Sequence, residues 1–211
     1  MRIYYNILVL VIFFLGCSSK SEIEYNKPAI YWYQKMINNI ANDDLDRADE
    51  YFTSLFSEHP NSIFLKESMI VLALAHVNNE EYLLANFYLD EFIKKYGNSK
   101  SIEFARYLKV KASFLSFKYP FRNQELLYDT LKDAQAFKKT YPDSKYTPFV
   151  DTMIAKVDLA LKSFNKEIAK LYKKMDRDEA KDYYLEKIKE STFKDIKAEN
   201  PSLPWYRQIF E

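Results

Sequence analysis

Side chains able to do chemistry are few in this sequence: one cysteine, Cys17, and two histidines, His59 and His76, among 211 residues. Cys17 stands in FFLGCSSK (13–20), after Gly16 and at the end of an apolar run that starts at Ile7. With no second cysteine it cannot close an internal disulfide, so its usable chemistry is that of a thiol nucleophile beside a small residue at a membrane surface. The histidines fall at a predicted turn (His59) and on the packing side of a predicted helix (His76), where packing accounts for both. Asp43, Asp44 and Asp46 form an acidic cluster that could attract a cation, but no glycine-turned loop shapes it. Capping a helix that starts near Leu45 explains the cluster better. CxxC, HExxH, GxSxG and phosphate-loop patterns are all missing from the chain, so no catalytic residue, metal site or cofactor is expected.

The setting of Cys17 narrows its role. Residues 1–16, MRIYYNILVLVIFFLG, carry one cation, Arg2, and then an apolar stretch from Ile7 to Leu15. That stretch is shorter than the ~20 apolar residues that span a bilayer core. It reads as the apolar part of a secretion signal. Gly16 before Cys17 and Ser18, Ser19, Lys20 and Ser21 after it resemble the lipobox of bacterial lipoproteins, with Phe14 where a Leu is usual. That resemblance implies cleavage before Cys17 and acylation of its thiol and new amino group; two or more acyl chains hold a protein stably on a membrane. Ser18, in place of Asp, resembles lipoproteins forwarded to the outer membrane. The other readings of the stretch are an ordinary signal followed by an incidental cysteine, or an uncleaved anchor.

Beyond Gly16 the chain balances 30 basic against 30 acidic side chains and keeps a single glycine, Gly97. Near-zero net charge argues against nucleic acid as a partner. With 18 Tyr and 16 Phe in the whole chain and so few turn residues, the expectation is an almost entirely helical body.

Three segments align without gaps: RADEYFTSLFSEHPNS (47–62), LANFYLDEFIKKYGNS (84–99) and DTLKDAQAFKKTYPDS (129–144). A small residue leads each, Ala48, Ala85 or Thr130, and offsets of 4, 7 and 11 then give Phe52, Leu89, Ala134; Leu55, Phe92, Phe137; and His59, Tyr96, Tyr141. Those offsets trace one face of a helix. Each segment ends in Pro or Gly followed by Asn-Ser or Asp-Ser, a stop signal and a cap for the next helix. Partner helices precede them at 29–42, 62–77 and 101–117, and a fourth unit takes a long helix near 145–174 and a shorter one near 177–190, with Ala180 in the small-residue place. The predicted fold is therefore all-α, a tetratricopeptide-like solenoid of about four helix-turn-helix units; an irregular helical bundle is the alternative. The expected organisation is a lipoprotein signal peptide at 1–16, acylated Cys17 and a polar tether over 17–28, the repeat domain at 29–190 and a C-terminal tail at 191–211.

DLDRADEYF with HPNS, EYLLANFYLDEFIKKYGNS, and FRNQ with TYPDSKY resemble the BamD family, the tetratricopeptide lipoproteins of the outer-membrane β-barrel assembly machinery. The likeness runs from about Ala29 to Glu190, and its most specific piece is the turn Tyr141, Pro142, Ser144, Tyr146. The chain departs from the family pattern at Asn123, at Phe149, Val150 and Met153, and at Tyr183 and Tyr184, and lacks a fifth repeat. The resemblance implies a lipid-anchored protein of the outer membrane facing the periplasm. It further implies a scaffold that binds the periplasmic domains of the barrel subunit through its C-terminal half and receives unfolded outer-membrane proteins near its N-terminal repeats. In a solenoid the first helix of each unit lines a concave face suited to a peptide; here that face is assigned Tyr33, Ile37, Ile70, Leu74 and Asn78, which could equally fill the seam between units. Seven acids and two bases between Asp43 and Glu67, against five acids and twelve bases between Lys94 and Lys145, could orient partners or be solvated faces. A second reading of the function is a repeat lipoprotein serving as a pilotin or as a cell-envelope or division adaptor.

Overall fold

The computed structural model describes residues 24–98, 101–117 and 124–191. The signal peptide, Cys17, Asn123 and the tail beyond Ser191 lie outside the described residues. Among those described, the regular structure is helical: α1 (Ala29–Ala41), α2 (Leu45–Glu58), α3 (Phe64–Asn78), α4 (Tyr82–Tyr96), α5 (Ile102–Leu115), α6 (Gln124–Thr140), α7 (Thr147–Lys174) and α8 (Asp178–Glu190). Short connections make consecutive helices antiparallel neighbours. α1 also packs on α3, and α5 on α7, past the helix between them. That stacking of first helices is what distinguishes a tetratricopeptide-like solenoid from a set of separate hairpins.

The aligned positions of the repeats are its core. Ala48, Ala85 and Thr130 are buried, as are Phe52, Leu89 and Ala134, and Leu55, Phe92 and Phe137. Small side chains at the first of these positions leave room for helix axes to approach. Around them, Trp32, Met36, Leu65, Leu72 and Leu108 complete one cluster that runs from α1 to α5. A second cluster joins α5, α6 and α7 through Val110, Phe137, Val150 and Met153. Val150 and Met153 are thus part of the interior, packed with Phe137. The fourth unit differs: Ala180 is only half-buried and α8 buries no residue completely, because among the described residues no further unit covers its outer side.

The turns inside three of the units share one design. Asp43, Glu80 and Asp176 each adopt a left-handed backbone, φ 60°, 61° and 54°. In each, the next amide reaches back to the preceding helix: Asp44 N–H to Asn39 C=O, Glu81 N–H to His76 C=O and Arg177 N–H to Tyr172 C=O. This is the helix-ending arrangement in which glycine is usual, here made by acidic residues. Asp44 then caps α2 by accepting from Arg47 N–H at 3.2 Å, as the acidic cluster predicted. Replacing Asp176 by Gly removes a left-handed penalty on a side chain and is expected to stabilise the protein by about 0.5–1 kcal/mol. Urea unfolding measures this; a lower midpoint in the variant would contradict it. Between units, Ser62 and Ser144 accept from the N–H groups of Phe64 and Tyr146 two residues on, but the helices themselves begin after Ile63 and Tyr146, which make no side-chain cap bond, so the predicted Ser caps tighten the turn ahead of each helix instead of capping it.

Part of the stretch assigned to the polar tether, residues 24–28, is bound to the repeat domain. Glu24 to Pro28 lies against the first hairpin. Tyr31 donates to Glu24, Asn26 N–H donates to Glu58 Oε1 at 3.1 Å, and His59 Nε2 donates to Lys27 C=O at 2.7 Å. Trp32 Nε1–H, at 2.8 Å from Glu58 Oε2, holds that carboxylate in place from inside. His59, expected only to pack, is therefore a hydrogen-bond donor to the incoming chain.

Candidate interaction surface

The five residues assigned to a concave face lie on α1 and α3. Tyr33, Ile37, Ile70 and Leu74 are half-buried and pack against the same core. The Tyr33 ring stacks on Phe64 across the α1–α3 seam, centroids 5.0 Å apart and planes 21° apart. Burial, with the Glu67 carboxylate beside it, raises the pKa of Tyr33, so this hydroxyl stays a neutral donor. Asn78 is exposed at the last residue of α3, one turn beyond Leu74. The structure thus brings four of the five into one strip, part filling the seam and part open, with a carboxylate and a phenol on its edge. Such a strip offers apolar contact and hydrogen bonds to a segment laid along it, and no bond-making chemistry.

Beneath the strip a polar brace ties the first two units together. His76 is 1% exposed; its Nδ1 lies 2.6 Å from Glu81 Oε2 and its Nε2 3.1 Å from Asp49 Oδ1. Tyr88 donates to the same Asp49 oxygen at 2.6 Å, and its ring stacks on the imidazole at 5.5 Å. The group spans α2, α3, the following turn and α4. Sequence reasoning placed His76 in the packing but missed its partners; the one available signal was Glu81, five residues on across a tight turn.

Burial lowers the His76 pKa, but the hydrogen bonds and charges of Asp49 and Glu81 outweigh it, and the net direction is upward. A histidine that holds its proton more tightly folded than unfolded adds stability that is full below the unfolded value, near 6.5. That stability is lost as pH rises through the folded value. The protein is therefore expected to resist urea better at pH 6 than at pH 8, with the difference abolished in His76→Gln; an unchanged pH difference in that variant would contradict the assignment.

Farther along, α4, α5 and α6 enclose a groove lined by Asp90, Arg106, Lys109 and Asp133, where Lys109 binds Asp90 at 2.6 Å. A second groove lies between α6, α7 and α8, walled by Tyr128, Asn165 and Lys187. There the Lys187 ammonium sits 4.8 Å above the Tyr128 ring and 4.9 Å above Tyr183, and Tyr184 stacks on Tyr172 at 5.7 Å. Tyr183 and Tyr184 therefore give the last described helix an aromatic and cationic surface. Phe149 is 58% exposed. Among the described residues no group of three or more His, Cys, Asp or Glu is placed to hold a metal ion, and no helix is long and apolar enough to cross a membrane.

Comparison with known proteins agrees in one direction. A family described as "YfiO: Outer membrane lipoprotein" matches residues 26–200. The chain is 37% identical over 206 residues to the outer membrane protein assembly factor BamD of Helicobacter pylori, covering 97% of this chain and 94% of that protein. The BamD proteins of Caulobacter vibrioides and Pasteurella multocida are 24% and 20% identical over 139 and 171 residues. Those matches take in 62% and 76% of this chain, and 44% and 65% of the relatives.

Proposed function

The chain belongs to the YfiO/BamD family of outer membrane lipoproteins, and from that membership we propose that it is a lipid-anchored, non-catalytic scaffold for assembling β-barrel proteins into the outer membrane. The observation that carries this reading is the near end-to-end match to an outer membrane protein assembly factor, supported by the solenoid of stacked hairpins. In the proposed mature protein, residues 1–16 are removed and Cys17 carries the acyl chains in the outer membrane, with the body facing the periplasm. The repeat domain of residues 29–190 does the binding, and residues 191–211 form a tail after it.

The two ends of the solenoid then have different work. The strip of Tyr33, Ile37, Ile70 and Leu74, with Asn78 at its end, suits an extended apolar segment of an unfolded outer-membrane protein, because it offers a half-open apolar surface with polar edges. The C-terminal half takes the periplasmic domains of the barrel subunit, with Tyr128, Tyr183 and Lys187 supplying side chains of the kinds that dominate binding surfaces.

Depletion of the protein tests the reading. Outer-membrane barrel proteins are expected to fall together while other envelope lipoproteins persist; unchanged barrel levels would contradict it. Cys17→Ala is expected to move the protein out of the membrane fraction, read by fractionation and by loss of acyl-chain labelling. Retention of the variant in the membrane fraction would contradict the role of Cys17.

A further inference from the structure

Antiparallel helices place the start of α1, the end of α2, the start of α3 and the end of α4 at one end of the first two units. Hydrogen bonds lock these pieces together: His59 Nε2 to the Lys27 carbonyl, and Lys95 Nζ to the Pro60 carbonyl, both at 2.7 Å. This end exposes large apolar side chains that nothing in the solenoid needs outside: Ile63 is 85% exposed, Tyr25 65%, and Ile30 and Phe56 are exposed as well. Lysines surround them. Lys95 covers the Phe56 ring at 4.9 Å, Lys94, 80% exposed, lies 3.7 Å from Glu91, and Lys27 lies over the Tyr31 ring at 5.7 Å. Of the carboxylates at this end, Glu58 is turned to Asn26 and Trp32 and Glu24 to Tyr31, while Glu91 sits beside Lys94 and Glu67 faces solvent.

The docking of Glu24 to Pro28 decides what faces this end. Only residues 18–23 separate Cys17 from the docked segment. Fully extended, the seven steps from Cys17 to Glu24 reach about 25 Å at ~3.6 Å per residue, so an acylated Cys17 keeps the end of the first two units close to the bilayer. Aromatic and lysine side chains suit the headgroup layer, and exposed aliphatic ones suit the boundary of the acyl chains.

We propose that this end of the first two repeats rests on the lipid surface, with Tyr25, Ile30, Phe56 and Ile63 in the headgroup layer and Lys27, Lys94 and Lys95 among the phosphates. The proposal rests on the reading of Cys17 as the lipidated residue. It fixes which way the solenoid stands: the turns at Asp43 and Glu80 point away from the membrane, and the seam between α1 and α3 runs outward from it.

The test uses full-length protein acylated at Cys17, in vesicles of phosphatidylethanolamine and phosphatidylglycerol. Because acylation consumes the one native thiol, a thiol-reactive, environment-sensitive fluorophore goes only to an introduced cysteine, Ile63→Cys at the proposed contact or Asn42→Cys at the opposite end. The label at 63 is expected to shift to the blue and be quenched several-fold more by nitroxide lipids than the label at 42. Equal, water-like emission from both labels on protein that floats with the vesicles would overturn the proposal while leaving lipidation intact. Shielding at 63 that occurs in native envelopes but not in pure vesicles would overturn it in favour of a protein contact. Labelling of the parent chain at Cys17, with failure to float, would remove the lipidation reading and this proposal together.

Discussion

Trp32→Ala is expected to lower the unfolding free energy by about 3–5 kcal/mol, the range for deleting a large aromatic side chain from a packed interior. Trp32 is 1% exposed at the centre of the first cluster, in contact edge-on with Tyr31 at 5.3 Å and with Tyr51 at 6.0 Å. It also orients Glu58, which in turn holds Asn26. Its loss should therefore free the docked N-terminal segment as well as open a cavity. Trp32→Phe separates the two effects: it keeps most of the apolar volume and loses the indole donor, at about 1–2 kcal/mol. Chymotrypsin cleavage after Tyr25 reads the docking, and urea unfolding reads the stability. Both variants should be cut faster at Tyr25 than the parent. Unaltered cleavage in Trp32→Ala would show that the segment is held by other contacts.

Asp49→Ala has the next largest expected effect, about 2–4 kcal/mol, because one carboxylate oxygen accepts from both His76 Nε2 and the Tyr88 hydroxyl. A charged hydrogen bond is worth about 1.5–3 kcal/mol, and a buried donor left without a partner adds its desolvation cost. The Asp49 side chain is 25% exposed, so water recovers part of the loss and keeps the figure below that of a fully buried ion pair. The variant should also show a flatter dependence of stability on pH between 6 and 8, since one of the two groups raising the His76 pKa is gone. Tyr88→Phe, which removes one donor and leaves the histidine pair, should cost less and keep the slope. A loss below about 1 kcal/mol in Asp49→Ala would mean that the brace adds little beyond packing.

Much of this architecture could be read from the residues because the repeat positions sit where helices touch. Ala48, Ala85 and Thr130 with their followers at 4, 7 and 11 are an imprint of close packing, and all nine residues through the offset of 7 are buried. The ends of α2, α4 and α6 followed from the same segments. What was not legible has physical reasons. The left-handed turns use Asp43, Glu80 and Asp176, whereas glycine is the residue that announces such a turn; Gly97 itself ends α4 with a helical backbone, φ −53°. The brace joins Asp49 to residues 27 and 39 positions later, and no periodic pattern links polar groups across helices. The docked segment is polar and aperiodic, which in a sequence is the mark of a tether, and only the three-dimensional placement of Glu58 and His59 gives it a berth. The candidate strip was located by helix phase, but phase could not tell a side chain in the seam from one on the open face, and Tyr33, Ile37, Ile70 and Leu74 turn out to be partly both.

The central claim, that this protein is a scaffold of β-barrel assembly, is tested most directly by affinity purification of the acylated full-length protein from detergent-solubilised envelopes. Cys17→Ala serves as control, and mass spectrometry identifies what is retained. Stoichiometric recovery of a large barrel protein carrying periplasmic domains, weakened by substituting Tyr183 and Lys187, is the predicted result. Recovery of a secretin ring or a cell-wall enzyme in its place, with no barrel assembly subunit, would contradict the account.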